Sequence, residues 1–378
     1  MKKLVSVLFA LLLVGSFAFA EVTVGSWNRL LFAPMANIDA DGLDQDAFAF
    51  MGPDWGDRGR VGLSFGASGD NTGFALDIHS NGTNLKVGDQ AKGWIKINDM
   101  VKVQFGQIQQ DVLRGKIGDS GFLGAISGYQ LTADDPTTAV VGDAVKLPLA
   151  QGATGEDAIF QRFYPKAGMV LDLTPAEGVY IGLALDTSKT DLVLTEQMFN
   201  EIQIGAGYVL PELGHLRAQY IGGYDTDAAD APKYFNAAFA YTAMDGLLID
   251  AGVKYQMTDK MGKSTFAVSA KYGADALSTV GRFLVGFGEA GANDELLLQA
   301  SADVSYVVAD PLAIGAEVSF YKEGDPTNVT VAPYAKLGYA GGFLKAGFAY
   351  SSFADYTVMG VAGDYTAWSI PIMMEFGF

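Results

Sequence analysis

The chain has 378 residues, 47 glycines, no cysteine and a formal net charge of −18. The lack of cysteine removes disulfides and thiolate metal centres, and so acidic a balance argues against a nucleic-acid partner. The length allows two or three soluble domains, but no Pro/Ser-rich linker or shift in composition cuts the chain, so one continuous array is the simpler reading.

Residues 1–20 have the form of a secretory signal peptide. Lys2 and Lys3 precede an uncharged apolar run from Leu4 to Gly15, and Ala18-Phe19-Ala20 fits the small-x-small cleavage pattern. The run is shorter than the roughly 20 residues a spanning helix needs. No cysteine follows it to carry a lipid anchor, and cleavage would leave a mature chain near −20. The mature sequence contains no apolar run long enough for a transmembrane helix.

Next in the chain, Asn37-Ile-Asp39-Ala-Asp41-Gly42-Leu-Asp44 has the look of half a calcium loop. Carboxylates alternate and a glycine sits at the turn, but Phe48 occupies the place of the closing glutamate. A solvated acidic loop is the first reading. Weak surface binding of calcium or magnesium by Asp39, Asp41 and Asp44 is the alternative.

From about residue 59 one event repeats: an alternating stretch of about 8 to 12 residues, a turn, and another stretch. Val61, Leu63 and Phe65 alternate with Arg60, Gly62 and Ser64. Val101, Val103 and Phe105 alternate with Lys102, Gln104 and Gly106. The second half is cleaner: Phe266, Val268, Ala270 and Tyr272 oppose Thr265, Ala267, Ser269 and Lys271. About 18 such strands begin near Val22. Their connections alternate in length. Short Gly, Pro and Asp turns, such as 98–99, 211–214 and 244–246, take turns with longer segments near 35–58, 80–90, 110–158, 186–198, 225–232, 257–263, 288–294, 322–328 and 352–365. A soluble sandwich has no reason to keep this parity, whereas a membrane barrel places short turns in the periplasm and long loops outside. The sequence therefore predicts an all-β fold: a transmembrane antiparallel β-barrel of 16–18 strands over 21–378, with aromatic girdles at the strand ends.

Little in the chain suggests chemistry. His79 and His215 are the only histidines, and the strand pattern puts them at opposite barrel ends, too far apart to share a metal. Ser80 and His79 are adjacent on a strand and so point to opposite faces. Gly286 to Gly291 matches GxGxxG, but a strand follows it instead of a helix, so it reads as a hairpin loop. No enzyme activity and no cofactor are expected.

The last strand alternates to the final residue. Trp368, Ile370, Ile372, Met374, Phe376 and Phe378 share one face, while Ala367, Ser369, Pro371, Glu375 and Gly377 share the other, with Met373 as an exception. This end, together with the signal segment and the loop parity, resembles the bacterial outer-membrane porins. The resemblance covers essentially the whole mature chain and rests on architecture, with no signature peptide. It implies residence in the outer membrane of a diderm bacterium, recognition of the terminal strand by the barrel-assembly machinery, and assembly as a homotrimer. It also implies passive diffusion of small hydrophilic solutes. By position it further implies that the third long loop, 110–158, folds inward as a constriction. That loop carries Asp111, Asp119, Asp134 and Asp135. Arg60, Lys92, Lys96, Lys102 and Arg162 are expected on the inner wall opposite, which would set a transverse field. Acidic loops above a balanced wall predict a weak cation preference. A substrate-specific channel, and a surface adhesin or antigen with an incidental or plugged pore, are the alternatives.

Overall fold

The computed structural model describes residues 21–40, 43–50, 60–80, 85–117, 130–134, 144–150, 159, 168–186, 202–222, 233–257, 263–288, 295–358 and 361–378. The expected signal segment, Asp41, Asp119, Asp135 and Arg162 lie outside them. For Asp44, Arg60 and Asp134 the backbone alone is described.

The N-terminal third contains β1 (Glu21–Ala40), β2 (Leu43–Phe50), β3 (Arg60–Ser68), β4 (Thr72–Ser80), β5 (Leu85–Asn98) and β6 (Val101–Gln107). A short hairpin follows, β7 (Gln130–Asp134) and β8 (Ala144–Pro148), whose strands pair with each other. Then come β9 (Gly168–Leu173), β10 (Val179–Asp186), β11 (Gln203–Leu210), β12 (Gly214–Ile221), β13 (Tyr234–Met244), β14 (Leu247–Gln256), β15 (Ser264–Ala274) and β16 (Leu277–Phe287). The chain finishes with β17 (Leu297–Ala309), β18 (Leu312–Glu323), β19 (Thr327–Tyr339), β20 (Gly342–Gly347), β21 (Ala349–Val358), β22 (Val361–Ser369) and β23 (Ile372–Gly377).

Apart from the β7–β8 hairpin, all 21 strands belong to one antiparallel sheet. It closes on itself where β1 pairs with β23, in the register Trp27↔Gly377 to Phe32↔Ile372. Three pairs of strands are collinear: β2 with β3, β20 with β21, and β22 with β23. The wall therefore has 18 staves.

Side chains alternate between the two faces of this wall. On β19, Asn328, Thr330, Ala332 and Tyr334 are buried inside, while Val329, Val331 and Leu337 are exposed outside. The same holds around the barrel, where outward Val24, Leu63, Ile181, Phe235, Val253, Phe283 and Ile314 all face away from protein. Apolar side chains pointing out of a closed sheet, and polar ones pointing in, invert a soluble core and make the exterior a lipid-facing band. Near one end of the barrel Tyr208, Tyr272, Tyr306, Tyr339 and Phe376 project outward as an interfacial girdle.

That end, the turn end, carries the tight connections: 69–71, 99–100, 174–178, 211–213, 245–246, 275–276, 310–311 and 340–341. Gly246 (φ 73) and Gly341 (φ 82) hold left-handed positions in two of them, and a Cβ at either would run into a backbone carbonyl of the neighbouring strand. Both described chain ends lie here.

At the opposite, loop end, several expected long loops are mostly strand. Ala40 pairs with Leu43, Val358 with Val361 and Ser80 with Leu85, and Lys322↔Thr327 encloses Glu323-Gly-Asp-Pro326. The physical reason is that a strand projecting past the hydrocarbon has water on both faces. It has no cause to alternate, so periodicity understates its length. The expected calcium loop is one of these hairpins. Asp39 pairs with Asp44 and Asn37 with Asp46 in the backbone register of this hairpin.

One sector of the wall is broken along a line. Pro34 sits in a bulge of β1, Pro371 separates β22 from β23, and Pro333 lies opposite Phe348, where β20 gives way to β21. Each proline lacks the N–H its ladder position would donate. The ladder is bridged by what remains: Phe348 N–H to Pro333 O at 3.0 Å, Gly347 N–H to Pro371 O at 3.1 Å and Ile370 N–H to Met35 O at 2.9 Å.

Candidate functional site

The interior of the barrel is crossed by the chain that follows β6. Its described pieces touch the inner wall at three places. Ile108 and Leu113 pack against Val170, Tyr180 and Ala184 of β9 and β10. Ile159 packs against Ala238, Ala267 and Leu284 of β13, β15 and β16. Leu147, Leu149 and Ala150 pack against Leu31, Ala33 and Ile38 of β1, Phe353 of β21, Tyr365 of β22 and Met373 of β23. Met373, the residue that broke the alternation of the last strand, thus points inward and joins an apolar patch under this segment. Small inward residues leave the room. A Cβ at Gly207 would meet Leu113.

Polar contacts pin the first part of the segment at both ends. Gln110 donates to Asp172 Oδ1 at 2.9 Å. The Lys116 N–H donates to Asp250 Oδ2 at 2.7 Å, and Arg217 Nη1 donates to the Arg114 carbonyl at 2.8 Å. Arg217 also forms a buried ion pair with Asp250. Asp172 gathers further donors: Gln104 at 2.7 Å, the Tyr180 hydroxyl at 2.8 Å and the Lys102 ammonium at 3.1 Å. One carboxylate with four donors is well compensated in a confined interior.

The wall elsewhere pairs its own charges. Arg29 meets Glu375 at 2.5 Å, and Lys345 meets Glu317 at 2.5 Å while lying over the Tyr334 ring. Tyr334 in turn donates to Asp303 at 2.7 Å.

The residues expected to line the pore are distributed as follows. Lys92 and Lys102 face inward on β5 and β6, with Lys92 Nζ donating to the Gln109 carbonyl at 3.3 Å. Lys96 is also inward, directly opposite Lys102, but it sits at the turn-end rim and pairs with Asp99 at 2.8 Å. That contact holds the Asp99 carboxyl below the usual range. Asp111 is half exposed and lies 3.4 Å from Arg114. Arg60 stands opposite Arg29 in the β1–β3 register. Lys102 therefore finds its partner on the wall at Asp172, and Lys96 finds its partner in the turn at Asp99. His79 and His215 lie at opposite ends, as the strand count required. Among the described residues no group of three or more His, Asp or Glu side chains could hold a metal. In the last strand Trp368, Ile370, Ile372, Met374, Phe376 and Phe378 all face outward, and Ser26 N–H donates to the Phe378 carbonyl at 2.8 Å.

Exposure is uneven around the lumen. Inward side chains of β9 to β16 such as Val170, Gln219, Asn236, Ala267 and Leu284 are buried. On β3 to β5, Ser64, Gly66, Gly73, Ala75, Lys92 and Trp94 stay partly open and line a vestibule at the turn end.

No protein-family model matches the sequence, and no curated protein matches it. Among solved structures, the chain is similar to a triple mutant of the Rhodopseudomonas blastica porin (11% identity, 94% of this chain and 100% of that one, TM-score 0.46). It is also similar to an anion-selective porin from Comamonas acidovorans (12%, 94% and 100%, 0.47). A third is OmpT, from the outer membrane of Vibrio cholerae (11%, 95% and 98%, 0.43). The pairing and alternation of its own strands define this chain as a transmembrane β-barrel.

Proposed function

We infer that the protein is an outer-membrane channel through which ions and small hydrophilic solutes diffuse passively, with no chemical step. The observation that carries this reading is the closed 18-stave wall, apolar towards lipid and charged within. A barrel of that size leaves an aqueous interior, and a charged lining only makes sense if it is wet. The loop 110–158 is proposed as the constriction, supported by its described pieces, which pack on the inner wall, and Lys92, Lys102 and Asp111 are proposed to line the passage beside it. Arg60, Arg162, Asp119, Asp134 and Asp135 are proposed to belong to the same constriction.

On this reading the outward face of the terminal strand is what the assembly machinery of a diderm bacterium recognises. The lipid-facing belt is also where a homotrimer would form. Weak calcium or magnesium binding at the acidic β1–β2 hairpin is a minor proposal that chelator-insensitive thermal stability would remove.

A second reading is favoured by one observation, the burial of so many inward side chains. A lumen filled at mid-height fits a gated or substrate-specific channel, or a surface adhesin whose pore is incidental. Single-channel recording of the refolded protein in a planar bilayer decides between them. Discrete, long-lived steps proportional to salt concentration support the open channel. A folded, heat-modifiable barrel that gives no steps moves the assignment to the second reading.

A further inference from the structure

At the turn end, the inner wall from β15 round to β23 carries a cation that its acids leave over. Lys336 of β19 faces inward and stands directly opposite Lys345 of β20, a placement that repels unless each has its own partner. Lys345 has one: its ammonium meets Glu317 at 2.5 Å and lies 3.6 Å from the centroid of the Tyr334 ring. Among the described residues no carboxylate forms a salt bridge with Lys336. Its ammonium lies 4.5 Å from the centroid of the Phe343 ring, and the side chain is half-buried. Asp303 and Glu375 are near enough for their charge to act on it, but both are engaged. Asp303 accepts from the Tyr334 hydroxyl at 2.7 Å, and Glu375 pairs with Arg29 at 2.5 Å.

A second cation adds to the excess. Lys271 of β15 points inward close to the same mouth, is exposed, and its charge also acts on Lys336. Arg29, Lys271, Lys336 and Lys345 thus face Asp303, Glu317 and Glu375, which leaves the sector one positive charge in excess. There is also room beside the two lysines. A Cβ at inward Gly273 would meet nothing nearer than the Leu277 carbonyl at 3.9 Å, and one at inward Gly338 nothing nearer than the Pro311 carbonyl at 3.7 Å.

We propose that Lys336, with Lys271 beside the same opening, is a binding site for small oxyanions, carboxylate or phosphate, at the turn-end mouth of the lumen. The chemistry selects the ligand class. An ammonium is a compact charge with three donors and no acceptor. The Phe343 ring takes one side of it, and the N–H groups on the other sides are left for water or an anion. A metal cation is repelled by this sector, and a neutral solute gains little over water. Pores that favour anions and phosphate are lined by lysine and arginine in the same way. Contact in a wet lumen is weak, so an anion is held briefly and passed on. The inference rests on the channel reading, because the lysines are reached through the lumen. It does not require an anion-selective pore, since the acidic loops act on ions at the other end.

The test uses inorganic phosphate as the probe and the full-length barrel refolded in a maltoside detergent. The phosphorus-31 line of phosphate should broaden with added protein and saturate as phosphate is raised. Lys336→Gln should weaken that binding about fivefold, the loss of one charge-assisted contact. Lys336→Arg keeps the charge and should retain it, and Lys271→Gln should weaken it by less. Lys254→Gln is the control. It removes an inward cation of β14 that lies 5.0 Å from the Tyr234 ring, away from this mouth, and should leave binding unchanged. Heat-modifiable migration establishes that each variant is folded, and the Arg variant and Lys271→Gln carry the test if Lys336→Gln does not fold. No broadening by the unmodified protein overturns the proposal. So does an equal loss in Lys336→Gln and Lys254→Gln, which would reflect the net charge of the barrel alone. Phosphate binding in a barrel that gives no current steps keeps the site and removes the channel reading, whereas steps without phosphate binding do the reverse.

Discussion

The staves from β11 to β18 and those from β19 round to β1 are built from the same kind of sequence, yet they hold the crossing segment in different ways. In the first sector the ladder runs almost unbroken, inward residues are small or polar, and the segment is fixed by charge and hydrogen bonds at Arg217 and Asp250. In the second, Pro34, Pro333 and Pro371 interrupt adjacent ladders at one level, inward residues turn apolar, and Leu147 and Leu149 dock on them. A regular wall presents its inner groups at fixed positions and suits directional contacts. A wall relieved of some ladder bonds can yield locally and suits non-directional apolar contact, which tolerates small shifts.

The largest test of this contrast is the ion pair. Removing one partner leaves a buried charge alone, so Arg217→Met or Asp250→Leu should each cost about 3 kcal/mol in detergent unfolding. The double variant should recover most of that loss, since a buried pair replaced by apolar groups of similar volume is often close to neutral. A double variant that loses the sum of the two single losses would mean that Arg217 and Asp250 contribute nothing as a pair. Next in size is Leu149→Ala in the broken sector. It deletes a side chain that is 1% exposed and should cost about 2 kcal/mol. The loss belongs to the docking of the β7–β8 hairpin, so increased current fluctuation should accompany it, whereas the ion-pair variants act on the opposite side of the lumen. Smaller again is Pro333→Val. It supplies the N–H that could meet the Phe348 carbonyl and complete the pair of which only one bond exists, for a gain of about 1 kcal/mol. Slower amide exchange around Phe348 would register the healed ladder. Unchanged exchange would mean that the break has another cause.

Much of the fold was legible because lipid enforces alternation. Residues such as Phe266, Val268, Ala270 and Tyr272 had to face outward in any working barrel, and the tight Gly and Asp turns named one end. Three features were not legible, each for a physical reason. The β1–β2 hairpin reads as a loop because its acidic run masks the short apolar face, Ala36 and Ile38, that the interior buries. The proline line depends on register: Pro34, Pro333 and Pro371 are far apart in sequence and become neighbours only when the sheet closes. The interior contacts depend on a segment that leaves the sheet altogether, so nothing in the periodicity of β9 announces that Asp172 will collect Gln104, Gln110, Tyr180 and Lys102. Met373 was the one visible hint, an apolar residue on a face that should have been polar.

The smallest effect expected is on ion preference at the Lys102–Asp172 pair, which lies between the two sectors at the vestibule. Lys96 and Lys102 are directly opposite on adjacent strands, a placement that repels unless each has its own partner. They have Asp99 and Asp172 respectively. Lys102→Gln removes one cation and leaves Asp172 with three neutral donors, so the carboxylate stays in place and now faces the passage uncompensated. Lys102 is 40% exposed, so solvent screens the pair and the stability change should stay near 0.5 kcal/mol. The reversal potential in a potassium chloride gradient is the sensitive readout. On the expectation that the acidic loops favour cations weakly, the substitution should strengthen that preference, because a fixed charge beside the passage acts on every ion that enters. A shift towards chloride, or none, would place the conducting path away from β5 and β6 and would detach the vestibule from the route that solutes take.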